Sequence, residues 1–250
     1  MKNRGYALVG ALAALTAAPA SAQDAPASGR GVYGSIQLGA ASVNDVDLAY
    51  LDEGGTFGGT GVQDRADFKV ELKSAFAISG ALGYDFGPVR ADVEVNYSRN
   101  GVKALSLEGI NGAAATLSAQ DRAEVCDYLG AETCGGSGNG FDLDGGKLRQ
   151  LSALANLWVD IPTGSVVTPY AGGGAGIAGY EFDGEGKARF AWQLGAGVGI
   201  DVTPSLSLTV DYRRRQTNGA TITDDEFENA GIRFGKVRTN LFTAGLRFRF

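Results

Sequence analysis

Between Arg238 and Phe250 the chain alternates, with Asn240, Phe242, Ala244, Leu246, Phe248 and Phe250 on one side of an extended strand and Leu241, Thr243, Gly245, Arg247 and Arg249 on the other. A period of two sends successive side chains to opposite faces of a pleated strand. The same period recurs earlier. Val32, Gly34, Ile36, Leu38 and Ala40 oppose Tyr33, Ser35 and Gln37, and Phe76, Ile78, Leu82, Tyr84 and Phe86 make the apolar face of a second segment. The third is the clearest: Val89, Ala91, Val93, Val95 and Tyr97 alternate with Arg90, Asp92, Glu94, Asn96 and Ser98.

A fourth segment, Lys147 to Asp160, sets Leu151, Ala153, Ala155, Leu157 and Val159 against Gln150, Ser152, Asn156 and Asp160, and leaves Leu154 and Trp158 on the polar side. The fifth, Val167 to Phe182, is rich in glycine, and its outward face is assigned from Tyr170, Tyr180 and Phe182 as interfacial aromatics. The sixth carries Phe190, Trp192, Leu194, Ala196, Val198, Ile200 and Val202. The seventh sets Leu206, Leu208, Val210 and Tyr212 against Ser207, Thr209, Asp211 and Arg213. With the terminal run, this makes an all-β chain of eight strands.

The connections alternate in length. Gly87-Pro88, Ile161 to Ser165 and Thr203-Pro204-Ser205 are tight, with proline where no ladder N–H is lost. Val43 to Asp67, Asn100 to Gly146, Asp183 to Lys187 and Thr217 to Gly235 read as loops, mostly far longer. Short turns on one side and long loops on the other are the pattern of a membrane barrel, whose sheet closes because unpaired backbone cannot sit in hydrocarbon. The expected architecture is an eight-stranded antiparallel up-and-down transmembrane β-barrel with long extracellular loops and short periplasmic turns. A soluble barrel that buries its apolar face inward has the same period. The charged minority face, the aromatic terminus and the loop asymmetry favour the membrane form.

The N-terminus agrees with export. Lys2 and Arg4 precede the short apolar stretch Tyr6 to Ala18 and an A-x-A site at Ala20-Ser21-Ala22, so residues 1–22 read as a cleaved signal peptide and 23–250 as the barrel domain. No later segment is long and apolar enough for a spanning helix. Thirty-nine glycines, nine tyrosines and twelve phenylalanines suit strands that are apolar on one face only. The net charge of −6, with basic residues scattered among acids, argues against nucleic acid.

Several stretches, in order, resemble the opacity-protein and outer-membrane-protein-A transmembrane-domain superfamily of small barrels. They are Thr168-Pro169-Tyr170 leading into Gly172-Gly173-Gly174-Ala175-Gly176, Phe190-Ala191-Trp192-Gln193 leading into Gly195-Ala196-Gly197, Val210-Asp211-Tyr212-Arg213, and Ala244 to Phe250. The resemblance spans the mature chain and implies the outer membrane as location and recognition of the terminal strand, here Phe248 and Phe250, by the barrel assembly machinery. It does not imply cell-wall anchoring, because no peptidoglycan-binding module is expected after Phe250.

Candidate chemistry falls in four places. Arg90, Asp92, Glu94, Asp211, Arg213 and Arg247 point inward in a barrel too narrow for a wide channel, so a paired network that packs and balances charge is expected ahead of gating. Arg99, Lys147, Arg149, Arg214, Lys236 and Arg238 extend the lipid-facing parity to the outer rim, where lipopolysaccharide phosphates lie; ordinary snorkelling is the alternative. Cys126 and Cys134, close together in an exported chain, are expected to form a local disulfide. Asp45, Asp47, Asp52 and Glu53, Asn139 to Gly145, and Asp224, Asp225, Glu226 and Glu228 read as solvated loop acids, since the spacing of a calcium loop is missing. With no histidine to activate a nucleophile or a water, an enzyme is not expected, and no cofactor. The expected role is a non-enzymatic outer-membrane protein that supports envelope integrity and displays surface loops. Adhesion to cell-surface ligands through those loops, or conduction of small solutes, are the alternatives.

Overall fold

The computed structural model describes residues 30–55, 61, 63–128, 135–142, 146–182, 185–223 and 230–250. Its elements run β1 (Gly31–Val43), β2 (Val46–Glu53), β3 (Gln63–Leu72), β4 (Ala75–Asp85), β5 (Val89–Ile110), β6 (Ala113–Ala114), α1 (Ala119–Tyr128), β7 (Gly140–Asp142), β8 (Lys147–Asp160), β9 (Val167–Phe182), β10 (Glu185–Thr203), β11 (Leu206–Thr217), β12 (Ala220–Thr223), β13 (Gly231–Phe234) and β14 (Val237–Arg249). The signal peptide expected at 1–22 lies outside the described residues.

Eight strands pair in a ring: β1 with β4, β4 with β5, β5 with β8, β8 with β9, β9 with β10, β10 with β11, β11 with β14, and β14 back with β1, all antiparallel. The seam is completed where Phe250 N–H donates to Val32 O at 3.0 Å. A ring has no unpaired edge, which is the condition for crossing hydrocarbon in strands. The faces separate as the alternation predicts. Val32, Ile36, Phe76, Val93, Leu157, Ile177, Leu194, Val210 and Phe242 are exposed on the outer wall, whereas Gln37, Arg90, Glu94, Asn156, Gln193, Asp211, Arg213 and Arg247 are buried inside. Leu154 and Trp158 are buried inside with them.

Strand β9 corrects one expectation. Tyr170 and Tyr180 are buried in the interior, and Ile177, on the other parity, is exposed; the side chain of Phe182 lies outside what is described. The phase follows from sterics. A Cβ on Gly172 would lie 2.8 Å from the Trp158 ring, and one on Gly174 would lie 2.1 Å from Asn156 Oδ1. The glycines therefore face inward to make room for large groups on β8, and the tyrosines of the same parity follow them.

The loops at the end of the barrel opposite Gly31 and Phe250 are a second correction, because much of them is sheet. β5 runs on to Ile110, past the Asn100 where the loop was expected to begin, and β12, β13, β2, β3 and the upper part of β5 pair in that order. β6 and β7 add to β5. This sheet prolongs one side of the wall in the same strand order as the barrel beneath it. Its inward side is apolar: Val46, Val70, Val102, Leu105, Ala220 and Phe234 are buried, with Leu48, Leu72, Ile222 and Ile232 packed alongside. Its outward side carries the ion pairs Arg65–Asp67 at 2.5 Å, Lys103–Glu71 at 2.9 Å and Lys69–Glu108 at 3.5 Å. Helix α1 opens on a capping box: Ser118 Oγ accepts from Asp121 N at 3.2 Å and Asp121 Oδ2 accepts from Ser118 N at 3.0 Å.

Candidate functional site

The barrel interior is a stack of polar layers held by side chains from every part of the ring. Nearest the termini, Arg90 Nε and Nη2 donate to the two oxygens of Asp160, both at 2.7 Å, while its guanidinium lies 4.8 Å from the Tyr170 ring centre and 5.6 Å from that of Tyr33. This bidentate fork is the strong form of a carboxylate pair. Beside it Asp92 accepts from Tyr33 OH at 2.7 Å, Asn156 Nδ2 at 2.7 Å and Trp158 Nε1 at 2.9 Å. Asp211 accepts from Arg213 Nε at 2.6 Å, Gln37 Nε2 at 2.7 Å, Tyr170 OH at 3.0 Å and Thr243 Oγ1 at 3.1 Å.

One layer further, Glu94 joins two guanidiniums: it pairs with Arg213 Nη1 and accepts from Arg215 Nη2 at 3.1 Å. Arg215 also donates to Asn96 Oδ1 at 2.8 Å and Gln193 Oε1 at 3.0 Å. Above these, Thr239 Oγ1 donates to Gln150 Oε1 at 3.1 Å, and Asn100 Nδ2 donates to the carbonyls of Ala41 and Lys73 at 3.0 Å. The stack ends in an apolar plug of Val43, Val46, Leu148, Tyr180, Ala220, Phe234 and Val237, where Tyr180 and Phe234 meet edge to face at 5.9 Å. A small cavity of about 20 Å³ lies among Tyr33, Gln37, Arg90, Asp92, Tyr170 and Arg247. That is room for one water and nothing larger.

All six of the expected lumen residues face the interior, and five join the hydrogen-bonded network. Arg247 differs. It is 3% exposed, and its Nε and Nη1 have no hydrogen-bond partner among the described residues. Sequence reasoning missed Arg215 and did not single out Asp160, although both lie on the inward parity of segments already read. Extending the alternation of Asp211 and Arg213 by two residues reaches Arg215. The uncharged partners Gln37, Tyr33, Asn156, Gln193 and Tyr170 carry no signal of their own, because only the cross-lumen geometry shows what they bind.

The six rim residues, Arg99, Lys147, Arg149, Arg214, Lys236 and Arg238, are all exposed. Lys236 lies in the connection between β13 and β14, and the other five fall into two groups. Arg99, Lys147 and Arg149 lie together on β5 and β8, and Arg214 and Arg238 on β11 and β14, where Arg238 Nε donates to Gln216 Oε1 at 3.4 Å. Cys126 is on α1, and Cys134 lies outside the described residues, as do Asp224, Asp225, Glu226, Glu228 and part of the Asn139 to Gly145 stretch. The described part of that stretch is structural. Asn139 Nδ2 donates to Leu107 O at 3.0 Å and Ala115 O at 2.6 Å, and Phe141 is buried under the Arg122 guanidinium at 4.5 Å. Among the described residues no three acidic or cysteine side chains come together to hold a metal.

A closed ring with an apolar outer wall, a polar packed interior, and Gly31 and Phe250, at the start of its first described strand and the end of its last, on the short-turn side defines a membrane β-barrel. The outer membrane protein beta-barrel domain family matches residues 10–250, so the chain belongs to that family and is an outer-membrane protein. An uncharacterized protein of Brucella abortus (strain 2308) is 29% identical over 140 residues, which cover 43% of this chain and 49% of that protein. The chain thus spans about half the length of the curated relatives it matches. Among solved structures, the outer membrane protein OprG from Pseudomonas aeruginosa is similar in fold, with a TM-score of 0.51 at 13% identity over 89% of this chain and 99% of that one. Neisserial surface protein A is 19% identical over 89% of this chain and 98% of that one, with a TM-score of 0.43.

Proposed function

We propose that the chain is a non-enzymatic structural barrel that supports the integrity of the outer membrane and carries an ordered sheet on the cell surface. One observation supports this above the others: the interior is filled along its length, by charge pairs from Arg90–Asp160 to Glu94–Arg215 and then by the apolar plug around Phe234. A filled, cross-linked barrel is a stiff body anchored in lipid, suited to bearing load. A narrow solute pathway would have to break both the ion pairs and the plug.

Adhesion is the second reading, and the extracellular sheet favours it. A preformed surface with alternating charges at Asp67, Lys69, Glu71, Lys103 and Glu108 loses little entropy when it binds. The two roles separate in a deletion strain complemented either by the full chain or by a barrel whose β2–β3 and β12–β13 hairpins are replaced by short turns. Envelope support predicts that the shortened barrel restores detergent resistance. Restored resistance with lost attachment to surfaces would add the adhesive role, and detergent sensitivity unchanged by deletion of the gene would end the envelope reading.

A further inference from the structure

We propose that Arg99, Lys147 and Arg149 form a phosphate site on the lipid-facing wall that takes a phosphate of the lipid A portion of lipopolysaccharide. Arg99 on β5 stands directly opposite Arg149 on β8, and Lys147 stands opposite Gly101, one step nearer the extracellular end on the same face. Directly opposed residues on antiparallel strands have Cβ atoms about 4.5–5.5 Å apart, and like charges there are destabilising. Glu181, the next residue across the wall, offsets part of this through Arg149 Nη1 at 2.5 Å. Neither the Arg99 side chain nor the Lys147 side chain has an ion pair or hydrogen bond to another described residue. The row therefore keeps an uncompensated cationic charge where the barrel leaves hydrocarbon.

Snorkelling accounts for each cation singly. It does not account for two arginines placed face to face, when a shift of either by one pair along the strand would separate them. A phosphate between the two forks does, since each guanidinium can donate to it and the repulsion becomes attraction. The wall just below selects the rest of the ligand. Tyr97 opposite Leu151, and then Val95, Ile177 and Phe190, are exposed apolar groups in the membrane band. Phosphates above several acyl chains match this vertical order, and the outer leaflet is where such a glycolipid lies. This partner deepens the envelope-support reading, since a barrel bound to its lipid neighbours stiffens the leaflet around it.

The test uses the full chain refolded in detergent micelles, with native mass spectrometry reading bound lipid A that carries both phosphates, and lipid A stripped of them. The wild type is expected to retain phosphorylated lipid A, and Arg99→Gln/Arg149→Gln to weaken it by about tenfold or more, as loss of two charge-assisted contacts implies. Arg99→Lys/Arg149→Lys should retain most of the binding. In detergent free of lipid A, Arg99→Gln should unfold at equal or higher urea than the wild type, an outcome that a purely structural arginine would reverse. Equal retention of phosphorylated lipid A by the glutamine variant, or equal retention of the stripped lipid by the wild type, overturns the site. Heat-modifiable gel migration confirms that each variant is folded. Detergent sensitivity of cells is read separately, so the lipid site and the envelope role can fail independently.

Discussion

Replacing Glu94 by glutamine changes one carboxylate oxygen to an amide nitrogen at nearly constant volume, in a residue that is 2% exposed. Arg213 keeps Asp211 at 2.6 Å and Gln37 at 2.7 Å. Arg215 keeps only the neutral oxygens of Asn96 and Gln193, so a buried guanidinium is left without a carboxylate among the described residues. Removing one partner of a buried pair costs about 3–5 kcal/mol. Because glutamine still offers one acceptor and Arg213 retains its other partner, the lower end applies, about 3 kcal/mol. Removing the second charge as well, in Glu94→Gln/Arg215→Met, takes away the orphan and should recover about 2 kcal/mol of that loss. The assay is urea unfolding of the refolded chain in micelles, followed by Trp fluorescence and by gel migration; Trp158 lies 5.1 Å from the Arg213 guanidinium and reports on this layer. The midpoint should fall while the slope stays constant. Since the pair is out of water, the loss should persist at high salt. A loss below about 1 kcal/mol, a double variant that costs the sum of its parts, or an effect erased by salt would refute the reasoning.

Three further outcomes follow from the same geometry. Gly245→Ala places a Cβ 2.1 Å from Ile36 O at the β1–β14 seam, against backbone that cannot yield; a loss of about 1–3 kcal/mol or failure to reach the compact gel form is expected. Arg247→Met removes a buried guanidinium whose Nε and Nη1 lack a partner among the described residues, so the urea midpoint should hold or rise; a fall of more than about 1 kcal/mol would mean that a partner satisfies it in the membrane. The Ser118 hydroxyl and backbone N–H hold the Asp121 carboxyl below its usual pKa. A depressed folded-state value means that the contribution to helix order is present above the ordinary carboxylate pKa and is lost as pH falls through the folded value. Ser118→Ala should raise the Asp121 titration toward the ordinary range in a carbon-detected NMR titration, and an unmoved titration would contradict the capping box.

The barrel was legible because its strands keep one parity from turn to rim. Lys147 to Asp160 and Val167 to Phe182 are bounded as the alternation and turn residues predict. The extracellular sheet was not legible, because parity breaks where the wall passes into it. On β5, Asn100 and Val102 face inward on even numbers, yet Leu105 and Leu107 are the buried residues above, after an irregularity opposite Glu71 and Leu72. A bulge of this kind turns a regular strand into one that reads as loop. β1 and β2 show the same slip, with Val43 and Val46 both buried across the break at Asn44 and Asp45. The inward phase of β9 was lost for another reason: Gly172, Gly174 and Gly176 show no side chain by which to set it, and only the bulk of Trp158 and Asn156 on the neighbouring strand decides the matter.

Alternation also leaves register undetermined, and here the polar interior has a use that an apolar filling would lack. A slip of two residues between neighbouring strands preserves every inward and outward assignment, so burial alone does not penalise it. The interior bonds do penalise it, because they join strands that are not ladder neighbours: Gln37 on β1 to Asp211 on β11, Glu94 on β5 to Arg215 on β11, and Gln150 on β8 to Thr239 on β14. Any slip misplaces partners across the lumen and leaves buried charge unpaired, at a cost of several kcal/mol. The network thus contributes uniqueness of register as well as stability, and the two are separable in Glu94→Gln. That variant weakens one tie while the Asp211–Arg213–Gln37 and Gln150–Thr239 ties remain. It should therefore be less stable than the wild type and still migrate as a single folded species.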